Sequence, residues 1–178
     1  MATSKINHIS LFLLSILLLS LATISKSDED CVYTLYVRTG SIIKGGTDSK
    51  ISLTLYTRKG EYINIPNIEL WGGLMEPGHD YFERGNTDIF SGRGYCLKDP
   101  VCKMDLTSDG TGWGHGWFVH YVEVTTAGKH EKCENQYFDV EQWLATDTSP
   151  YNLTAIRDNC HGNKFSYTKL ESKTEAST

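Results

Sequence analysis

The segment from residue 31 to residue 62 contains two stretches in which apolar and polar residues alternate, separated by a Gly-Gly-Thr-Asp turn. In the second stretch Ile51, Leu53 and Leu55 occupy every other position. Successive side chains of a β-strand point to opposite faces, so this alternation is typical of an antiparallel strand with one buried face. The segment therefore predicts two half-buried strands near the start of a β-rich domain.

Further short strand candidates recur up to residue 160, with turn residues between them and no repeat or linker. Repeated short strands of this kind predict a single all-β domain, here an eight-stranded antiparallel β-sandwich. Helical periodicity is weak, and only 139–145 has the pattern of a single helical turn. The strand candidates are 32–38, 51–57, 61–65, 67–71, 103–107, 117–125, 137–143 and 151–157.

The first 27 residues have the pattern of a secretory signal peptide. Lys5 precedes an apolar run at 9–24, and small serines follow at the positions that a signal peptidase recognises. The alternative is an uncleaved anchor, but the run is shorter than the ~20 residues that span a bilayer. We expect a protein of the secretory pathway, in the endoplasmic reticulum or outside the cell, with a domain at 28–160 and a flexible polar tail at 161–178.

The charge of the chain limits its partners. Without residues 1–27, 15 basic side chains face 22 acidic ones, a net charge of −7. A nucleic-acid-binding protein needs a basic surface to neutralise phosphates, so we expect no nucleic-acid partner. The same balance gives no general attraction to anionic lipid.

All five cysteines follow the predicted signal peptide, and an oxidising compartment favours their pairing. Cys96 and Cys102 lie close together around a proline and predict one disulfide. Cys31 begins the first strand and Cys160 ends the last one, which predicts a second if those strands are neighbours. Cys133 would then be free to link two chains as a dimer. Cys133–Cys160 and Cys31–Cys133 are the competing pairs.

An ordered set of motifs resembles the PLAT domain, the β-sandwich named for polycystin, lipoxygenase and alpha-toxin. The set covers most of the predicted domain, and one segment, 81–93, is similar to small secreted plant proteins that consist of one PLAT domain. The matching residues are Tyr33, Thr34, Tyr36, Val37, Thr39, Gly40, Gly46, Thr47 and Asp48; Glu69, Leu70 and Trp71; Asp88, Ile89 and Phe90; 117–124; and Phe138, Trp143 and Leu144.

The resemblance implies a non-catalytic module that binds a membrane lipid surface or a protein partner, in plants a module associated with abiotic stress tolerance. No nucleophile elbow or partnered Cys–His motif indicates an enzyme, and no cofactor is expected. Two alternatives remain: a structural extracellular protein without a tight ligand, and an unrecognised enzyme using the loop carboxylates Asp88, Asp105 and Asp109.

The resemblance also indicates a calcium site, because some PLAT domains bind Ca²⁺ with loop carboxylates and carbonyls. Asp48 is the candidate ligand. Lys44, nearby in the same loop, opposes a cation. The favoured alternative is that the Asp48 carboxylate accepts backbone N–H groups and holds its own turn.

A loop with three large apolar residues, Trp71, Leu74 and Met75, is the predicted lipid- or partner-binding surface, joined by Trp113 if the two loops lie at the same end. The alternative is that Trp71 and Leu74 cap the core. A sequon at Asn152 predicts a glycan, since strand alternation turns Asn152 toward solvent.

Overall fold

The computed structural model describes residues 30–129 and 133–161. The predicted signal peptide and all but the first residue of the predicted tail lie outside these residues. Within them, eight strands and one short helix follow one another. They are β1 (Asp30–Thr39), β2 (Ile51–Thr57), β3 (Tyr62–Ile65), α1 (Ile68–Gly72), β4 (Thr87–Tyr95), β5 (Val101–Ser108), β6 (Trp117–Ala127), β7 (Glu134–Leu144) and β8 (Thr154–Asp158).

The strands form two four-stranded antiparallel sheets packed face to face. The first sheet has the order β4-β1-β6-β7 and the second the order β3-β2-β5-β8. This architecture confirms the predicted eight-stranded antiparallel β-sandwich. The helical content of the described ranges includes nothing long and apolar enough to cross a membrane.

Three local predictions were wrong. Residues 67–71 were predicted as a strand, but Asn67 caps α1 by accepting a hydrogen bond from the Leu70 N–H. The strand β4 was missed because its glycines resembled turn residues. The single helical turn considered at 139–145 does not form, because the chain up to Leu144 belongs to β7, as the strand candidate at 137–143 predicted.

The core lies between the sheets and follows the alternation seen in the sequence. Along β2 the buried and half-buried residues alternate without exception. The largest side chain that is fully buried is Trp117, whose Nε1–H donates to Thr39 Oγ1 at 2.9 Å. This bond joins the last residue of β1 to the first residue of β6. It therefore fixes where the loop after β1 and the loop before β6 leave the core.

Arg157 on β8 joins the two sheets along one side. Its guanidinium donates to the backbone oxygens of Asp139, at 2.9 Å, and Val140, and to Gln142 Oε1 at 3.1 Å. The three acceptors belong to β7, an edge strand of the first sheet. One side chain of the second sheet therefore donates hydrogen bonds to the backbone of the first.

The predicted disulfide pairing was wrong, although the four cysteines are the ones that pair. Cys31 is bonded to Cys96, and Cys102 to Cys160. The reason is the strand order: β1 lies beside β4, which leads to Cys96, and β5 lies beside β8, which leads to Cys160. Each disulfide thus joins neighbouring antiparallel strands of one sheet. Cys133 is free, as predicted, and its side chain is exposed.

Candidate functional site

Four loops meet at one end of the sandwich, which we call the tip: 40–50, 66–86, 109–116 and 145–153. They meet there because β1, β3, β5 and β7 end at this end and the strands that follow begin at it. The opposite end carries the shorter connections, including the turn at 58–61 between β2 and β3. Loops displayed by a rigid sandwich are where binding residues usually lie.

Three carboxylates of the tip converge. Asp48, Asp80 and Glu83 each offer an oxygen, and these oxygens lie within 4.8 Å of one another. Asp48 and Asp80 are exposed and Glu83 is half-buried. In the part of the chain that the structure describes, no lysine or arginine pairs with any of the three. We call this set the acidic cluster.

Phe82 places two members of the cluster. Its ring is buried and packs against Phe90 and Trp117, with centroids 5.6 and 5.1 Å away. Its backbone has φ of 62°, in the left-handed region that a bulky residue rarely adopts. The ring therefore enters the core while Asp80 and Glu83, on either side of it in sequence, remain near the surface.

The loop that carries Asp48 lies directly against this segment. The Thr47 N–H donates to the Phe82 carbonyl at 3.3 Å. A Cβ on Gly46 would lie 3.1 Å from both the Phe82 oxygen and the Arg84 nitrogen, so a larger residue there would push the two loops apart. Glycine before Thr47 and Asp48 is thus needed for close contact between the loops, which brings Asp48 to the other two acids.

Asp88 supports the same segment from below. Its side chain is fully buried, and its carboxylate accepts the Phe82 N–H and the His79 Nε2–H, both at 2.7 Å. The hydrogen bond to Asp88 raises the pKa of His79, an effect that burial partly opposes and that the carboxylates of Asp88 and Glu76 reinforce. Asp88 therefore helps to position Asp80 and Glu83 indirectly, by holding the backbone N–H of Phe82 between them.

The loop 109–116 covers the other side of Asp48. Ser49 Oγ donates to the Thr111 carbonyl at 2.6 Å, and a Cβ on Gly112, where φ is 89°, would lie 3.2 Å from the Asp48 carbonyl. The next residue, Trp113, is 92 % exposed. An almost fully exposed indole therefore belongs to the residue that follows Gly112, the residue in contact with Asp48.

Asp109 shapes this loop. Its Oδ1 accepts the Lys50 N–H and both the N–H and the hydroxyl of Thr111. Burial alone would raise the pKa of Asp109, but the hydrogen bonds from Thr111 and Lys50 outweigh it, and the pKa is lowered. The carboxylate is thus used within its own turn.

Asp48 does not have the structural role favoured from sequence. Its carboxylate has no hydrogen-bond or ion-pair partner in residues 30–129 and 133–161, and the turn is held instead by Thr47 Oγ1, which accepts the Ser49 N–H at 3.1 Å. Lys44, expected to oppose a cation, forms no ion pair with the cluster. The Asp48 carboxylate is therefore available to a ligand.

The residues predicted as the binding surface, 71–75, belong to the loop 66–86 but lie along β4, an edge strand of the first sheet. Trp71 packs against the core, with its ring over Gly92 of β4, as the alternative proposed. The Leu74 N–H donates to the Ile89 carbonyl, so this stretch runs along the edge of β4, and Met75 is half-buried. Leu70 and Leu74 are 83 % and 59 % exposed and form what we call the flank patch. No hydrogen bond or ring contact among the described residues joins 71–75 to Trp113.

The three carboxylates considered for catalysis do not form a site. Asp88 is buried in the support of Phe82, and Asp109 lies in its turn. Asp105 is on β5 and accepts the Tyr56 hydroxyl at 2.9 Å. The residues that sequence reasoning missed are Asp80, Glu83 and Ile43, a tip residue that is 79 % exposed. The family-like segment 81–93 was the nearest signal, since it includes Glu83.

Comparison with known proteins identifies the family to which the fold is similar. The family model for the PLAT/LH2 domain matches residues 33–157. The chain is 59 % identical over 149 residues to "PLAT domain-containing protein 1" of Arabidopsis thaliana, a match covering 84 % of this chain and 82 % of the relative. It is 61 % identical over 149 residues to "PLAT domain-containing protein 2" of the same plant, covering 81 % of each chain.

Among solved structures, a coral 8R-lipoxygenase shares the fold, with a TM-score of 0.52 and 22 % identity. The match covers 71 % of this chain and 16 % of the lipoxygenase. That structure is described as showing calcium activation via a C2-like domain.

Proposed function

The chain belongs to the PLAT/LH2 family, and we propose that it is a non-catalytic binding module that docks on a membrane surface through its tip, with Ca²⁺ held by the acidic cluster. One observation carries the proposal: Trp113 is almost completely exposed in the loop that contacts Asp48, and Asp48 belongs to three carboxylates that have no cationic partner among the described residues. The indole can enter a bilayer interface, and the carboxylates can bind a cation that also contacts lipid phosphates.

The apolar part of the tip favours the bilayer interface. Trp113 and Ile43 are 92 % and 79 % exposed, and each would gain about 1.5–3 kcal/mol if fully buried. Tryptophan is enriched at this interface because its ring is apolar and its N–H finds a polar partner there. These two side chains alone support weak, reversible docking.

The charged part of the tip explains why a cation is needed. The cluster would repel an anionic lipid surface, and the domain as a whole is acidic. Ca²⁺ takes about 6–8 oxygen ligands, and three carboxylates leave positions for backbone carbonyls, water or lipid phosphate. The coral lipoxygenase supplies only a shared fold at 22 % identity, so the calcium proposal rests on the cluster itself.

Vesicle co-sedimentation of residues 28–178 tests the proposal. Wild-type protein should pellet with phosphatidylserine vesicles in Ca²⁺ and remain soluble in chelator. Trp113→Ser combined with Ile43→Ser should remove binding, and Leu70→Ser combined with Leu74→Ser should not. Binding that survives the tip changes but is lost with the flank changes would move the docking surface to the flank patch.

Terbium luminescence tests the cation site separately. Tb³⁺ resembles Ca²⁺ and emits when a nearby indole transfers energy to it, so Trp113 should sensitise it. Asp48→Asn should weaken Tb³⁺ affinity, whereas Trp113→Phe should lower emission without changing the affinity measured by competition with Ca²⁺. Equal Tb³⁺ affinity of wild type and Asp48→Asn would remove the cluster from the proposal.

A protein partner bound at the flank patch is the second candidate. Leu70 lies on α1 and Leu74 just after it, both exposed, and Trp71 between them in sequence packs against the core. A structural role without a tight ligand is the remaining alternative. Cross-linking in plant extracts should recover a partner with wild-type protein and lose it with Leu70→Ser combined with Leu74→Ser. Recovery that is unchanged by these substitutions would argue against the flank.

The setting follows from the family and the disulfides. Two intramolecular disulfides indicate an oxidising compartment. Entry through a signal peptide at 1–27, residence in the endoplasmic reticulum or outside the cell, and a role in abiotic stress tolerance complete the proposal. Fractionation of plant cells and growth of loss-of-function plants on salt would test these steps. Normal growth under stress would contradict the last one.

A further inference from the structure

The sequon lies in the tip and has the geometry of an accessible acceptor. Asn152 is exposed, and its Oδ1 accepts the Thr154 N–H at 2.9 Å. Its Nδ2 has no hydrogen-bond partner among the described residues. The strand β8 begins only at Thr154, so Asn152 belongs to the loop 145–153 and not to a strand, as the alternation had suggested.

This loop packs directly against the loop that carries Trp113. The Ser108 N–H donates to the Leu153 carbonyl at 2.9 Å, and a Cβ on Gly110 would lie 2.9 Å from Leu153 Cδ1. Following this contact along the chain, with ~3.8 Å between consecutive Cα atoms, places Asn152 at most about 23 Å from Trp113. A substituent on Asn152 is therefore attached to a loop that packs against the Trp113 loop, and a large one can extend over the tip.

We propose that Asn152 is N-glycosylated and that its glycan screens the tip by size, leaving it open to ions and small molecules while limiting its approach to a flat bilayer. In the modification, Nδ2 bonds to the first sugar carbon of a lipid-diphosphate-linked oligosaccharide. The bond between that carbon and the diphosphate breaks, the diphosphate leaves with the electron pair, and the amide loses one proton. The screening concerns the same tip and, for membranes, rests on the proposed function.

The physical reason is the difference in size between the two ligands. An N-linked oligosaccharide is bulky and strongly hydrated, so it cannot be buried against lipid without losing its water. A divalent cation passes beneath it and reaches the cluster. The glycan thus separates the two halves of the proposed function, cation binding and docking.

A relocated sequon provides the matched control. Wild-type protein and Asn152→Gln are secreted from plant cells, together with Asn152→Gln combined with Lys59→Asn and Glu61→Thr. The last variant moves the sequon to the exposed 58–61 turn at the opposite end. Intact mass before and after glycosidase treatment should show a glycan on the first and third proteins only. An unmodified wild-type chain would overturn the proposal.

Accessibility of the tip is measured without a membrane. Trp113→Cys in a Cys133→Ser background gives one reactive thiol at the tip, which is labelled with a small maleimide or with one on a long polyethylene glycol. The Asn152 glycan should slow the large reagent severalfold relative to the small one, and the relocated glycan should not. Equal rate ratios for both glycan positions would overturn the screening.

Vesicle binding then separates this inference from the proposed function. The Asn152→Gln and relocated-sequon proteins should bind vesicles in Ca²⁺ more tightly than glycosylated wild type. Equal binding by all three would overturn screening at a bilayer. If none binds, the docking proposal fails, and the reagent-size ratio still decides whether the glycan screens the tip.

Discussion

Replacing Asp48 by asparagine should stabilise the metal-free protein, although it removes a proposed ligand. The acidic cluster brings three carboxylate oxygens within 4.8 Å of one another with no cation paired to them among the described residues. The folded state therefore contains a repulsion that the unfolded chain relieves. Asp48→Asn keeps the size of the side chain and removes two of the three repulsive pairs.

The expected gain follows from Coulomb's law. Two charges 4.8 Å apart repel by about 0.9 kcal/mol in bulk water. A Debye length of about 10 Å at 0.1 M salt reduces each pair to about 0.5 kcal/mol, so the substitution should add about 1 kcal/mol to the free energy of unfolding. For a domain of this size that is about 2–4 °C in Tm.

Thermal unfolding in chelator and in Ca²⁺ is the assay. The control is Asp139→Asn, the same chemical change on an exposed residue of β7 outside the cluster. In chelator Asp48→Asn should melt above wild type, whereas Asp139→Asn should melt at the same temperature as wild type. In saturating Ca²⁺ the order should reverse, because wild type gains RT ln(1 + [L]/Kd) from the bound ion. A lower Tm for Asp48→Asn in chelator would refute the reasoning.

Three further predictions concern the support of the tip and the sandwich. Asp88→Ala should cost about 2–4 kcal/mol in urea unfolding, because it leaves the buried Phe82 and His79 donors unpaired, and Asp88→Asn, which can still accept one bond, should cost less. Because the pKa of His79 is raised in the folded state, its interaction with Asp88 stabilises the fold fully below the unfolded-state pKa and is lost as pH rises through the folded-state pKa. The free energies of unfolding of wild type and His79→Gln, measured in chelator across pH, should therefore differ most at low pH. A difference that widens as pH rises would contradict this. Replacing Cys102 and Cys160 together by serine should cost about 4 kcal/mol, since their disulfide closes a loop with a sequence separation of 58; a loss under 1 kcal/mol would show that the unfolded chain is already compact there.

The sandwich could be predicted because its evidence is local. The alternation along β2 depends only on neighbouring residues, and the ordered motifs of the family supplied the rest. The strand β4 was missed for a tertiary reason: Gly92 suggests a turn in sequence, but it is a strand residue against which the Trp71 ring lies. The predicted disulfide pairing was wrong for a similar reason, because pairing depends on which strands are neighbours in a sheet, and the sequence does not give the strand order.

The acidic cluster shows where sequence reasoning about the site ends. Asp48 could be proposed because the glycine-threonine-aspartate turn is a local motif. Asp80 and Glu83 could not, since three residues apart on an extended chain they would face opposite sides. They converge because Phe82 adopts a left-handed backbone, with its N–H held by the buried Asp88 and its ring held by the core. A strained conformation in a bulky residue persists only where its surroundings impose it, and such residues often lie at functional sites. The strain at Phe82 is therefore an independent reason to test the tip, and relieving it with a smaller residue should disperse the carboxylates even though none of them is changed.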